Sequence, residues 1–217
     1  MEVLGILLSL FLLMFFAYRG YSVIVFAPVF AILAAASQGL SPMPAYTELF
    51  MAKAAVYFKS FFPIFLLGAV FGKIMEETGL AKAIAYRILQ AVGKERSILS
   101  IVIAGGVLTY GGISLFVVVF AIYPFAASMF KEADIPKRLI PGCIVLGACT
   151  YTMDALPGTP QIQNIIPTSF FGTTVYAAPI LGIIGGVFIF VGGMYYLEWR
   201  NKTAKARGEG YGENHIN

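Results

Sequence analysis

The stretch that decides the fold is TMDALPGTPQIQNIIPTSFFG, residues 152–172, where three prolines, an aspartate, two glutamines and an asparagine interrupt two apolar runs. The run before it, 139–153, has about fifteen residues, so at ~1.5 Å per residue its helix is shorter than the ~30 Å of hydrocarbon in a bilayer. The polar stretch is therefore predicted to begin at membrane depth. Because lipid cannot satisfy the hydrogen bonds of irregular backbone, we expect the non-helical segment 154–168 to be enclosed by protein or to line a watery cavity.

The composition indicates an integral membrane protein. Of the 217 residues, 59% are hydrophobic and 12% are charged, with a mean hydropathy of +0.83. Soluble domains are about 45–50% apolar and about 25% charged, so this chain could not cover a water-facing surface. The two cysteines fit no metal or redox spacing, and the single histidine, His215, lies in a polar tail, which excludes an intramembrane haem or zinc site. The net charge of +4 comes from basic residues dispersed between apolar runs and does not indicate a nucleic-acid partner.

The apolar runs predict an all-α polytopic membrane protein with about six to seven transmembrane segments. The run 97–130 is too long for one span, and the glycine pairs at 105–106 and 111–112 predict a helical hairpin or a broken helix there. Residues 79–93 have apolar side chains at helical spacing. They predict an amphipathic helix on the inner membrane surface or a short connecting helix packed on the bundle. The runs are 3–18, 21–37, 54–72, 97–130, 139–153 and 170–197.

The basic residues predict the orientation in the cytoplasmic membrane. With the C-terminal tail in the cytoplasm and the N-terminus outside, every lysine and arginine except Lys53 and Lys59 falls on the cytoplasmic side. Residues 1–197 then form the membrane domain. Residues 198–217 have almost no apolar content and are predicted to be a disordered cytoplasmic linker.

Two Gly/Pro-interrupted segments predict a binding site for an anion. Discontinuous helices place the positive ends of half-helix dipoles near the membrane midplane, where they can hold an anionic substrate. Ser114 is positioned to cap the second half-helix of the first interruption. The glutamine and asparagine amides can bind a carboxylate or polyhydroxylated ligand, or they can satisfy backbone groups. The predicted substrate-binding residues are Thr109, Gly111, Gly112 and Ser114 in the first interruption, and Pro157, Gly158, Thr159, Gln161, Gln163 and Asn164 in the second.

Asp154 is the candidate carrier of a coupled proton. A carboxylate at membrane depth is costly unless it is solvated, paired or protonated. The alternative interpretation is an outward-facing loop residue that caps the following turn.

The sequence resembles the gluconate permease family of the ion-transporter superfamily. The resemblance rests on ALPGTPQIQNIIP at 155–167, the following FFGTT and AAP at 177–179, with support from 65–85 and 109–124. It implies import of a small carboxylate driven by the proton gradient, without a cofactor. Gluconate transporters of this family carry an acidic residue in the segment that matches 115–124, whereas LFVVVFAIYP has none. Short hydroxy- or keto-acids therefore remain open as substrates.

The resemblance also implies a two-part molecule. Family members contain two inverted repeats and are roughly twice as long, so the chain is expected to be the first repeat. Its partner would be the second half, in the same or a separate polypeptide, and a homodimer is also open. An enzyme is not expected, because the chain has no HExxH motif and no intramembrane histidine. The competing interpretation is a non-transporting membrane scaffold or a degenerate permease fragment.

Overall fold

The structure is a computed structural model that describes residues 2–212, and within that range it contains helices and no strands. The all-α prediction is confirmed. Among the described residues, three helices are long and apolar enough to cross a membrane individually: Pro42–Glu77, Leu115–Glu132 and Pro179–Ala206. The helices are α1 (Glu2–Tyr18), α2 (Val23–Ser37), α3 (Pro42–Glu77), α4 (Leu80–Val92), α5 (Ser97–Tyr110), α6 (Leu115–Glu132), α7 (Ile140–Ala148), α8 (Ile162–Phe171) and α9 (Pro179–Ala206).

The chain divides into two compact units, with the boundary between Ile64 and Phe65. In the first unit, α1 packs closely on α2 through small residues. A Cβ at Gly5 would overlap the side chain of Ser37, and the buried Ser9 hydroxyl donates to the Gly5 carbonyl (2.8 Å). Such close approach is the usual source of helix association in lipid, where there is no hydrophobic driving force. The first turns of α3 include a π-helical stretch, Ala45–Phe50.

In the second unit, α5 is the central helix and packs against α4, α6 and α7. A Cβ at Gly147 on α7 would overlap the Val102 carbonyl oxygen on α5, and a Cβ at Gly105 would lie 3.5 Å from the backbone of Gly147. The glycine pair at 105–106 was expected to contribute to a helix break. It lies instead inside α5, where Gly105 faces the backbone of α7 and Gly106 leaves space for the side chains of Tyr151 and Thr152.

Helix α4 is packed on the bundle, which is the second of the two alternatives for residues 79–93. Its buried residues are Ala81, Ala85 and Leu89, whereas Leu80 and Ile84 are 48% and 38% exposed. Of the predicted apolar positions Leu80, Ile84, Ile88 and Leu89, the last two pack on the core and the first two do not, so the predicted face only partly coincides with the buried one. Alanines occupy the contact because they let α4 approach α5 and α6 closely.

Helix α9 continues beyond the predicted end of the membrane domain. Residues 198–206 extend the helix, with Asn201 and Ala204 buried, and residues 207–212 follow it. The Glu209 carboxylate pairs with Arg138, and the Tyr211 amide donates to Asp134 Oδ1 (2.9 Å). The structure thus differs from the disordered linker predicted from residue 198, because residues 198–206 continue the helix with Asn201 and Ala204 buried, and exposed polar contacts hold Glu209 and Tyr211. His215 lies outside the described residues.

Candidate functional site

The first break separates α5 from α6 at residues 111–114, which confirms the broken helix predicted for the run 97–130. The amides of Gly111, Gly112 and Ile113 donate to the last carbonyls of α5 at 2.9–3.1 Å. Gly112 has a φ of +86°, a conformation that suits glycine. Ser114 occupies the predicted N-cap position of α6, but its side chain makes no capping hydrogen bond. The first amides of α6 therefore donate no hydrogen bond to this side chain.

The second break separates α7 from α8 and is displaced from the prediction. Non-helical backbone runs over 149–161, so it begins five residues earlier than expected and ends seven residues earlier. Gln163 and Asn164 lie on the first turn of α8, and Pro167 lies inside that helix. Pro167 removes one backbone hydrogen bond without ending the helix.

Two buried threonine hydroxyls in the second break donate hydrogen bonds to backbone carbonyls. The Thr152 hydroxyl donates to the Gly147 carbonyl (2.7 Å), and the Thr159 hydroxyl donates to the Thr152 carbonyl (2.6 Å). Thr152 is 2% exposed and Thr159 is fully buried. At Thr152 and Thr159 the irregular backbone is thus buried and finds its partners within the protein, whereas Asp154 and Pro160 between and beside them are exposed.

Asn164 and Gly158 tie the second break to the loop that follows α8. Asn164 Nδ2 donates to the carbonyls of Thr159 (3.0 Å) and Val175 (3.1 Å), and the Gly158 amide donates to the same Val175 carbonyl (2.9 Å). Gly158 has a φ of +82°, and a Cβ there would lie 2.6 Å from the Tyr176 ring. Both the backbone conformation and the available space therefore require glycine at position 158.

The two breaks lie against each other. Gln161 Nε2 donates to the carbonyl of Thr109 (2.7 Å) and, more weakly, to that of Ile113 (3.5 Å). In the opposite direction, the Tyr110 hydroxyl donates to the Pro157 carbonyl (2.9 Å). Gly112 faces Pro160, whose Cγ would lie 3.3 Å from a Cβ at position 112. The structure thus brings together the two Gly/Pro-interrupted segments of the sequence.

This contact places the N-termini of α6 and α8 close to each other. Gln161 is the N-cap of α8, and Ile113 immediately precedes Ser114, the N-cap of α6. One glutamine side chain therefore spans the distance between the two helix starts. Neither N-cap side chain bonds to its own helix. Helix N-termini carry partial positive charge and free amide donors, so this arrangement suits an anion.

The Thr109 hydroxyl is an unusual buried group beside this contact. Thr109 is fully buried, and within the described part of the chain its Oγ1 has no hydrogen-bond partner. Its carbonyl accepts the bond from Gln161. Buried hydroxyls without a partner are rare in native proteins and call for a physical explanation.

Two predicted site residues are less enclosed. Asp154 is exposed in the turn that begins the polar stretch and makes no hydrogen bond or ion pair within residues 2–212. Gln163 is exposed on α8. The sequence analysis did not select Tyr110, which lies between Thr109 and Gly111 and whose hydroxyl joins the two breaks. The only available signal was an aromatic hydroxyl next to a helix end, and that pattern is too common to select a residue.

Broken apolar helices that face each other within a helical membrane bundle define the class of multi-pass membrane transporters. Residues 1–210 match the family model described as GntP family permease, and the chain belongs to that family. It is a transporter-family protein and not an enzyme.

The relatives agree with this assignment. The chain is 61% identical over 213 residues to the "Uncharacterized transporter YxjC" of Bacillus subtilis (strain 168), covering 98% of this chain and 45% of the relative. It is 25% identical over 138 residues to an "Uncharacterized permease" of Haemophilus influenzae, covering 63% of this chain and 27% of that relative. The chain thus spans less than half the length of these two relatives. No solved structure matches it significantly.

Proposed function

We propose that the chain forms the substrate-binding first repeat of a secondary transporter that moves a small organic anion in symport with protons. The observation that carries this proposal is the convergence of the α6 and α8 N-termini across the Gln161 side chain. Two partially positive helix ends favour a carboxylate, as in other transporters with discontinuous helices. A gluconate-like sugar acid or a short hydroxy- or keto-acid fits this chemistry.

The site residues have different proposed roles, according to their contacts. Within residues 2–212, the side chains of Thr109, Ser114 and Gln163 make no hydrogen bond, so these groups are proposed to contact the substrate. Gly158, Thr159 and Asn164 bond or pack within the second break and are proposed to shape the site. Gly111, Gly112 and Pro157 contribute backbone, and the Gln161 amide joins the two sides.

Coupling and orientation complete the proposal. Asp154 is the proposed proton carrier, and the proton gradient is the energy source, with no cofactor. The N-terminus lies outside and the tail in the cytoplasm, as the distribution of lysine and arginine favours. Alternating access needs one repeat to move against another, so the transporting unit includes a second half, in the same or a separate chain. Dimerisation of the whole transporter is compatible with this arrangement.

The test is uptake into membrane vesicles that carry the complete coding sequence containing these 217 residues. Labelled gluconate, glycolate, lactate and pyruvate serve as substrates, and a protonophore collapses the proton gradient. We expect uptake of at least one acid and its loss with the protonophore. Uptake that is unchanged by the protonophore would contradict proton symport. Absence of uptake for every acid would favour the non-transporting scaffold or a degenerate permease.

A further inference from the structure

We propose that Tyr110 and Gln161 are positioning residues that clamp the two breaks together, and that neither is a substrate ligand. The inference deepens the proposed function, on which its substrate-related part rests. It changes the role of Gln161, which the sequence alone placed among the substrate-binding residues.

The clamp consists of two reciprocal hydrogen bonds. Tyr110, from the first break, donates to a carbonyl of the second break, and Gln161, from the second break, donates to a carbonyl of the first. The acceptors, the carbonyls of Pro157 and Thr109, lie on different breaks. The two bonds therefore restrict the rotation of one break against the other as well as the distance between them. The packing of Gly112 on Pro160 closes the space alongside them.

The Gln161 amide has no donor left for a carboxylate. Its NH₂ group carries two hydrogens, and two backbone carbonyls, those of Thr109 and Ile113, lie within 2.7 and 3.5 Å of the nitrogen. The oxygen that remains is an acceptor and would repel an anion. Gln161 therefore sets the spacing of the helix ends, and the amides of those helix ends are left to bind.

The clamp can be measured without any substrate. Ser114 stands at the start of α6, directly after Ile113, and serves as a reporter position. In a complete transporter from which the native cysteines have been removed, Ser114→Cys is labelled with a maleimide, and the labelling rate reports how often the first break opens. Losing one net hydrogen bond changes such an equilibrium about fivefold.

We expect Tyr110→Phe to raise the labelling rate about fivefold, since it removes one oxygen atom and keeps the ring. Gln161→Glu should raise the rate further, because a carboxylate cannot donate and faces two carbonyl oxygens. Gln161→Met, which keeps the length without a donor, checks the result if the glutamate variant does not fold. Matched controls away from the breaks are Tyr123→Phe on α6 and Gln90→Glu on α4, which should label at the parental rate. Unchanged labelling in both Tyr110→Phe and Gln161→Met would overturn the clamp.

Uptake kinetics then separate positioning from simple destabilisation. At equal amounts of protein in the membrane, Tyr110→Phe is expected to raise the KM for the transported acid about fivefold and to leave the maximal rate within about twofold. A fall in maximal rate at unchanged KM would contradict a positioning role. If the parental transporter takes up no acid, the proposed function fails, and the labelling result still decides whether the clamp exists.

Discussion

The close crossing of α5 and α7 predicts that replacing Gly147 even by alanine destabilises the protein. A Cβ at this position would overlap the Val102 carbonyl oxygen and would lie 3.1 Å from the Val102 Cα. These are backbone atoms of a buried helix, so no side-chain rotation relieves the overlap. The two helices would have to separate by roughly 1 Å to restore ordinary contact. The side chains between α5 and α7 would then lose part of their dispersion energy.

The magnitude follows from two opposing effects. Alanine in place of glycine favours a helix by about 1 kcal/mol, whereas overpacking a tight contact costs about 1–3 kcal/mol. Because the overlap is with backbone, we take the upper part of that range and expect a net loss of about 1–2 kcal/mol for Gly147→Ala. For a unit of this size, that corresponds to a fall in Tm of roughly 3–8 °C.

The assay is thermal unfolding of the detergent-solubilised protein, followed by size-exclusion chromatography of the heated sample. The matched control is Gly185→Ala on α9, since a Cβ there meets nothing within 4 Å and should leave Tm unchanged or slightly higher. The reasoning is refuted if Gly147→Ala unfolds at the same temperature as Gly185→Ala or above it.

Three further predictions concern the site and the tail. Gly158→Ala forces a strained backbone and a clash with Tyr176, so we expect uptake to fall at least tenfold, which the vesicle assay measures. Arg138→Glu should release the segment after α9 and speed its proteolysis, and pairing it with Glu209→Arg should restore protection; unchanged cleavage in the single variant would show that the ion pair does not hold the segment. Asp154→Asn should leave substrate binding intact and abolish the response of uptake to a protonophore, and retained coupling would remove Asp154 as the proton carrier.

The sequence predicted the elements whose signals are local. Gly112 and Ser114 marked the start of α6 because a left-handed glycine and a short polar side chain are typical of helix ends. The polar stretch marked a second break because prolines remove donors. Its limits were misplaced, since Pro167 is tolerated within α8, and proline alone does not say whether a helix stops.

The remaining errors concern contacts between distant residues. The pair at 105–106 resembles the pair at 111–112 in sequence, yet only the second lies at a break, because the first faces α7 across a backbone contact. The Gln161 amide was equally suited to a ligand or to the backbone, and its partners at Thr109 and Ile113 are about fifty positions away. Sequence periodicity contains no information on such a pairing.

The short length of α7 has an electrical consequence. Its 9 residues rise about 14 Å from the charged loop at 131–138, so the proposed topology puts the second break roughly halfway across the ~30 Å of hydrocarbon. An anion that reaches this point has crossed about half of the membrane voltage. Since one elementary charge gains or loses about 2.3 kcal/mol per 100 mV, the affinity of the site would change by about 1 kcal/mol when the membrane is polarised by 100 mV. The proposed site would therefore bind its anion with measurably different apparent affinities in energised and de-energised cells.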